Sequence, residues 1–399
     1  MDEFEDLPMP DVEVDAVDPG ELLARIEAGE RVTILDVRAE REFAEWHIEG
    51  DSVEIANVPY YEFIEGVDED LLARVPESPS GPLVAVCAKG GASEFVAGVL
   101  QESGIEAVNM AEGMNGWARL YRVVGVSPAP GPATVLQFQR PSSGCLGYLI
   151  HEGREAAVVD PLRTFTDFYV DLLGDLGLEL TYAIDTHVHA DHVSGVRRLA
   201  ERTGAESVLP IPAIEERGVA FEVDHPVGDG EVLSVGEAEV EALHTPGHTS
   251  GMTSYLVDGR VLLTGDLLFV ESVARPDLEK GDAGAPDAAA QLYDTLRWTL
   301  EMSDDTLVAP GHYSDAAAPA PDGTYTARLG DLRGSMSILG KGEEAFVEFI
   351  LADMPPRPSN FEEIIAINLG ERESDDEEAF ELELGPNNCA ATQESIAGD

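Results

Sequence analysis

Two short stretches of this chain concentrate side chains that can do chemistry. The first, Cys87-Ala88-Lys89-Gly90-Gly91-Ala92-Ser93, follows the apolar run 83–86 and opens a helix. Successive backbone N–H groups and a helix N-terminus converge there on the sulfur, an environment that favours a thiolate and binds anions. Gly90 and Gly91 let the backbone curl around the sulfur and Lys89 adds a positive charge, so these three are the expected substrate-binding residues around a catalytic Cys87. The pattern alone leaves phosphatase and sulfurtransferase chemistry open. The second stretch is His187-Val188-His189-Ala190-Asp191-His192. Beyond it stand His248 in Thr-Pro-Gly-His-Thr, Asp266 in Thr-Gly-Asp and His312 in Pro-Gly-His, so five of the nine histidines lie in small-residue loops. Imidazoles and carboxylates gathered in loops after strands can share one cleft, as a transition metal requires. His47, His151, His225 and His244 read as structural or surface residues.

The elements that position these residues follow from the hydrophobic pattern. Residues 19–126 alternate short apolar runs at 32–35 and 83–86 with helical stretches at 19–28 and 93–103, which argues a small parallel α/β unit. Ser127-Pro128-Ala129-Pro130-Gly131-Pro132 sustains neither helix nor central strand and reads as a linker. The pattern then restarts with strands at 134–138, 147–151 and 156–159, a helix at 165–176 and a strand at 181–185. Later strands at 240–244, 253–257 and 261–264 and helices at 288–302 and 342–352 complete an α/β/β/α sandwich. The expected division is therefore 1–126, linker 127–132, a second domain 133–370 and an acidic terminal segment 371–399. In that segment 380–384 carries the alternation of a further strand.

With 24 Lys+Arg against 78 Asp+Glu the formal net charge is −54, yet the hydrophobic fraction of 44% is ordinary for a folded protein. Such a charge repels itself in dilute buffer, whereas in molar salt the screening length falls to about 3 Å. The acids are spread along the whole chain and only Lys89, Lys280 and Lys341 are lysines, which together point to a salt-rich cytoplasm. Nucleic acid and anionic membranes are excluded as partners on charge. No apolar run approaches the ~18 residues of a membrane span, and the first residues lack a signal-peptide pattern. Three cysteines, Cys87, Cys145 and Cys389, do not make a disulfide framework.

Residues 15–125 resemble rhodanese domains. Ile34-Leu35-Asp36-Val37-Arg38, Glu42-Phe43, His47-Ile48-Glu49-Gly50, the Cys87 loop and Gly113-Met114-Asn115-Gly116-Trp117 occur in the order of that family. The resemblance implies that Cys87 carries a persulfide, accepting sulfane sulfur from a donor and passing it on, and its short loop suits sulfur rather than phosphate. Many rhodaneses place Arg directly after the cysteine; this chain has Ala88 there, with its cation at Lys89. Asp36 and Arg38 read as polar supports of the fold.

Residues 133–370 resemble the metallo-β-lactamase fold, which implies that the seven residues of the second site bind metal. Two activities share that ligand set. In a dinuclear zinc hydrolase of glyoxalase II type, His187, His189 and His248 would hold one ion, Asp191, His192 and His312 the other, and Asp266 would bridge. The second activity is that of the persulfide dioxygenases. Arg275-Pro276-Asp277-Leu278 after Asp266, the stretch Pro355-Pro356-Arg357-Pro358 before Phe361 and Asn368, and the rhodanese neighbour are all similar to that family. It implies one Fe(II) on His187, His248 and Asp266, with His189, Asp191, His192 and His312 orienting those ligands or holding a second ion. The expected reaction oxidises a glutathione-like or other γ-glutamyl thiol persulfide with O2 to sulfite and free thiol. Arg275 would grip the carrier's carboxylate or simply pair with Asp277. Cys145, at a turn into a strand, reads as structural; Cys389 reads as a surface cysteine, or as a sulfur-accepting thiol should the terminal segment fold back.

Overall fold

The computed structural model describes residues 8–127, 131–314, 316–352 and 354–391, so the middle of the expected linker, 128–130, lies outside the described residues. The chain divides into two compact units. One runs through Tyr121 and includes Arg140–Ser142; the other comprises Arg122–Gln139 and everything from Ser143 on.

The first unit is built on five parallel strands in the order Ala16–Val17, Ala107–Met110, Leu83–Val86, Val32–Asp36, Val53–Asn57. Leu83–Val86 and Val32–Asp36 are buried along their whole length, as a parallel sheet covered on both faces requires. Side-chain alternation sends Leu35, Leu83 and Ala85 into one core with Phe95, and Ile34, Val84 and Val86 into another with Leu22 and Trp117. Each such aliphatic side chain contributes roughly 1.5–3 kcal/mol on burial. Helix Pro19–Glu27 starts where the Asp18 carboxylate accepts the N–H groups of Gly20 and Glu21 at 2.8 and 3.2 Å. Helix Gly91–Glu102 follows Leu83–Val86 after a four-residue gap.

The second unit is a two-sheet sandwich. One sheet runs His225–Val227, Glu206–Pro210, Glu179–Ile184, Glu155–Val159, Cys145–Glu152, Thr134–Arg140, Arg122–Gly125. The other runs Val232–Val235, Ala238–His244, Thr253–Val257, Val261–Gly265, Leu307–Pro310, Ala327–Arg328. Tyr148, Ile150, Val159 and Ile184 of the first sheet meet Val240, Ala242, Tyr255 and Leu263 of the second in one core. Helix Val196–Thr203 lies against the first sheet, and Thr166–Leu176 packs beside it with Tyr169 against Phe138. Gly281–Thr299, Leu329–Ser335 and Glu343–Ala352 share a core with Val308 of the second. The result is the mixed α/β sandwich with helices outside the sheets that the pattern implied.

Several details differ from the sequence reading. Arg122–Gly125, within the range expected for the first domain, pairs antiparallel with Thr134–Arg140. The helix expected from 288 begins at Gly281 and carries Pro286 inside it. Segment 380–384, expected as a strand, falls largely in helix Asp376–Leu382. There Asp375 accepts the Glu378 N–H at 2.8 Å, and acidic residues fill the first turn, where the helix end is positive.

Candidate functional site

Cys87 ends the run of Leu83–Val86 and is buried. Its Sγ accepts the Gly90 N–H at 3.0 Å and lies 3.1 Å from Ser93 Oγ, which also reaches Asn109 Oδ1 at 2.7 Å. The loop is clamped from the far side: Met114 and Asn115 donate their N–H groups to the carbonyls of Cys87 and Ala88 at 2.8 and 2.9 Å. Gly113 makes this approach possible. Its φ is +56°, and a Cβ there would stand 2.1 Å from the Cys87 carbonyl oxygen. Gly90, also left-handed at φ +97°, turns the chain so that its N–H faces the sulfur. Lys89 is exposed at the loop's rim. Asp36 and Arg38 pair at 2.6 Å, and Arg38 Nη2 also donates to the Trp46 carbonyl at 2.6 Å, tying the strand end to the next loop.

In the second unit every metal-type residue emerges just past a strand. His187, His189, Asp191 and His192 follow Glu179–Ile184 in one sheet; His248, Asp266 and His312 follow Ala238–His244, Val261–Gly265 and Leu307–Pro310 in the other. The last two strands are parallel neighbours with Gly265 opposite Pro310, so Asp266 and His312 leave the sheet side by side. The structure brings all seven residues together. His187, His248 and Asp266 present ligand atoms within 4.8 Å of one another; Asp191, His192 and His312 do so with Cys145; and His189 does so with Asp160 and Asp185.

Hydrogen bonds fix the ring orientations. His187 Nδ1 lies 2.9 Å from Thr186 Oγ1, which donates to Asp160 Oδ2 at 3.0 Å. His189 Nε2 meets Asp160 Oδ1 at 3.1 Å. His248 Nδ1 meets the Arg275 carbonyl at 2.8 Å, leaving Nε2 3.6 Å from Asp266 Oδ2. His312 bridges two carboxylates, Nδ1 to Asp266 Oδ1 at 2.6 Å and Nε2 to Asp191 Oδ2 at 2.8 Å. Asn368, far along the chain, holds the loop itself: its Nδ2 donates to the carbonyls of His189 and His192 at 3.0 and 2.9 Å, and its Oδ1 accepts the Ser194 N–H at 2.8 Å.

What remains unpaired is informative. His187 Nε2, His189 Nδ1, His192 Nε2, Asp191 Oδ1 and Asp266 Oδ2 are buried without hydrogen-bond partners. Buried polar atoms are ordinarily satisfied, and clustered orphan lone pairs are what a cation would satisfy, so the donor set fits a metal. Burial pushes all these imidazoles toward the neutral form. In His187 and His248 it prevails and their pKa values fall. In His192 and His312 it is overcome by the Asp191 and Asp266 carboxylates, which hold both rings well above the usual range. In His189 burial is overcome chiefly by Asp160, which holds the ring up at about 9. Burial also opposes charge on Asp191 and Asp266, yet His312 and neighbouring rings hold both below the ordinary carboxylate range.

Three expectations change. Arg275 is 1% exposed, with Nε and Nη2 donating to Asp277 at 2.7 and 3.0 Å and Nη1 to the carbonyls of Pro356 and Asn388 at 2.9 and 3.0 Å. A guanidinium so enclosed ties chain segments together and has no face left for a carrier's carboxylate. Cys145 is at the metal-type cluster, its thiol 3.3 Å from Asp191 Oδ2. Burial alone would push that thiol up, but His312 and His192 hold it below its ordinary value. Cys389 is not on the surface: it is buried, and its Sγ groups with Asp266 and His312. Asp160 and Glu383, the latter accepting the Val193 N–H at 3.1 Å, were not legible as site residues because nothing local links them to the histidine loop.

Two family models match the chain, the rhodanese-like domain over residues 18–120 and the metallo-beta-lactamase superfamily over 143–312. The mitochondrial persulfide dioxygenase ETHE1 of Homo sapiens is 30% identical over 186 residues, which cover 45% of this chain and 68% of that protein. Among solved structures, ETHE1 from Myxococcus xanthus is similar with a TM-score of 0.51 and 31% identity, covering 59% of this chain and 98% of that one. A metallo-beta-lactamase from Staphylococcus aureus subsp. aureus COL is similar with a TM-score of 0.54 and 27% identity, covering 60% and 74%.

Proposed function

We propose that this chain, which belongs to the ETHE1 persulfide dioxygenase family within the metallo-β-lactamase superfamily and carries a rhodanese-like domain before that fold, is a persulfide dioxygenase fused to a sulfurtransferase. Its substrate is a small thiol persulfide, glutathione-like or another γ-glutamyl thiol. Persulfide, O2 and water give the free thiol, sulfite and two protons. The rhodanese-like part, given to residues before the linker at 127–132, moves sulfane sulfur through Cys87; the metal chemistry belongs to 133–370, closed by the acidic segment 371–399.

The observation that carries this reading is the cluster of His187, His248 and Asp266, whose ligand atoms lie within 4.8 Å of one another. It is a two-histidine, one-carboxylate face with Asp266 Oδ2 and His187 Nε2 buried and unpaired, where burial pushes both imidazoles toward the neutral form and His312 holds the Asp266 carboxyl toward the ionised one. Iron held there would supply open coordination positions and the redox chemistry that O2 requires. His192 and His312, by contrast, lie against the Asp191 and Asp266 carboxylates, which favour their charged forms. In this reading they neutralise buried carboxylates and fix Asp266, while Thr186 and Asp160 fix His187. At the first site, the Gly90 N–H and Ser93 hydroxyl steady the sulfur of Cys87, and Lys89 and Gly91 border the approach of the donor.

A second reading, a thioester hydrolase of glyoxalase II type with two Zn(II) ions, draws on the Cys145, Asp191, His192 and His312 set, where His192 Nε2 is buried and unpaired. The charge balance supports a salt-rich cytoplasm as the setting. Among the described residues no helix is long and apolar enough to cross a membrane. Metal content and O2 uptake, measured on protein purified anaerobically in molar KCl with glutathione persulfide, separate the readings. About one iron per chain and uptake that vanishes in His187→Ala are expected. About two zinc ions per chain, no uptake and hydrolysis of a lactoyl thioester would overturn the dioxygenase in favour of the hydrolase.

A further inference from the structure

With Arg275 enclosed, the charged end of a thiol carrier has to be met by other residues. Beside His248 the chain leaves a cavity of about 120 Å³, whose walls include Thr249, Lys280, Gly284, Asp287 and Gln291. At about 30 Å³ for each water, that is room for roughly four waters or for a polar group of comparable size. Thr249 is 7% exposed, and its Oγ1 is buried without a hydrogen-bond partner. Buried hydroxyls are ordinarily satisfied, so an orphan on a cavity wall marks where a ligand atom belongs.

The opposite wall is the start of helix Gly281–Thr299, where Gly284, Asp287 and Gln291 stand at the spacing of one helical face. Lys280 directly precedes the helix. Its side chain cannot accept from the first N–H groups, which form the positive end of the helix, and Asp282 of the first turn is tied to Arg357 instead. Gly284 keeps Lys280 in place: a Cβ there would stand 2.3 Å from the Lys280 Cβ, so the lysine stem lies on bare backbone. Glu279 beside it is already occupied. Its Oε2 accepts the Ser250 N–H at 2.6 Å and its Oε1 the Ser250 hydroxyl at 2.9 Å, with Arg217 3.8 Å away. The Lys280 ammonium stays 3.8 Å from Glu279, beyond hydrogen-bond length, on a side chain that is 61% exposed.

We propose that this cavity binds the α-amino-acid head of a γ-glutamyl thiol carrier: Lys280 and the helix N-terminus take the carboxylate, Asp287 takes the ammonium, and Thr249 and Gln291 bond the remaining polar atoms. The inference rests on the persulfide reading of the site and names the residues that select the carrier. A head with one charge of each sign matches a wall that carries Lys280 and Asp287 about two helical turns apart, whereas an inorganic anion or a neutral thiol would leave one of them unmatched. His248 lines the same cavity, so a head bound there holds the rest of the carrier beside that metal-type residue.

The test titrates S-methylglutathione, which keeps the head but has no free thiol, into the metal-loaded full chain by calorimetry. Wild type is expected to bind it, and Lys280→Gln and Asp287→Asn to bind it about tenfold more weakly each. Both side chains are exposed, so neither substitution disturbs the core. S-methyl-γ-glutamylcysteine, which lacks the glycine, is expected to bind within about threefold of S-methylglutathione; a larger loss would give the cavity to the glycine carboxylate and overturn the assignment of the head. In turnover, the KM for glutathione persulfide is expected to rise about tenfold in Lys280→Gln, while that for mercaptoethanol persulfide, which has no such head, moves less than about threefold. A change of less than about threefold in S-methylglutathione binding by Lys280→Gln overturns the proposal, as does an equal rise in both KM values. Absence of O2 uptake by the wild type would instead strike the dioxygenase reading, and the calorimetry, which needs no turnover, would still decide the cavity by itself.

Discussion

Replacing Asn368 by Ala should weaken both the fold and the metal site, although no metal-type atom is touched. The Asn368 amide is buried and makes three hydrogen bonds to the loop of His189, Asp191 and His192. At roughly 1 kcal/mol net for each, Asn368→Ala costs about 3 kcal/mol. For a domain of this size that is a fall of about 6–12 °C in melting temperature. Partners that orient metal ligands are worth about 10–100-fold in metal affinity, so iron binding should weaken by a factor in that range. Asn368→Asp should be worse than Ala: it keeps the acceptor for the Ser194 N–H but sets a buried carboxylate against two carbonyl oxygens. Scanning calorimetry in molar KCl and an iron titration read the two effects. An Asn368→Ala protein that melts within about 2 °C of wild type and binds iron equally well would refute the assignment of this residue to loop positioning.

Arg275→Ala leaves Asp277 buried beside Arg357 alone and should destabilise by about 3 kcal/mol, read in a denaturant titration; a raised KM with unchanged stability would restore Arg275 to substrate binding. Gly113→Ala puts a Cβ against the Cys87 carbonyl at a left-handed position, so sulfur loading of Cys87, read by mass, should be lost at a stability cost above about 2 kcal/mol. The metal-free protein should lose stability as pH rises from 6.5, the ordinary histidine value, through about 9, where His189 gives up its proton in the fold. The sign follows because a raised folded pKa favours the fold below the unfolded value and that gain is lost on crossing the folded one. His192 and His312 are shifted the same way, whereas His187 and His248 are shifted down, so their opposite effect is complete once pH has passed the ordinary histidine value. Melting temperatures of chelator-treated protein that stay flat over this range would contradict the assignment.

The parts of the molecule legible in the sequence are those whose determinants are local. Apolar runs at 32–35 and 83–86 became central strands because few arrangements bury every residue of so short a segment. Cys87 and its glycines form a site within seven residues, and the metal-type histidines sit where strands end, so spacing alone located both. Segment 380–384 was misleading for a physical reason. Phe-Glu-Leu-Glu-Leu has the period of a strand, but the Asp375 cap and an acidic first turn start a helix just before it. Cys145 and Cys389 could not be placed by pattern, since Cys145 meets Asp191 across 46 residues and Cys389 depends on bonds to Ser143 and Arg275.

The surroundings of each histidine are likewise absent from the motif, which lists ligands but not their neighbours. His187 and His192 stand five residues apart in one loop, both buried. His187 meets the Thr186 hydroxyl, and burial keeps it neutral; His192 meets the Asp191 carboxylate, which keeps it charged. His312 then extends that charged chain to Asp266. Both groups keep buried atoms without hydrogen-bond partners, His187 Nε2 and Asp266 Oδ2 in one, His192 Nε2 and Asp191 Oδ1 in the other. The environments of the two groups thus differ although their residue types match, because their ligands come from loops after strands of two different sheets.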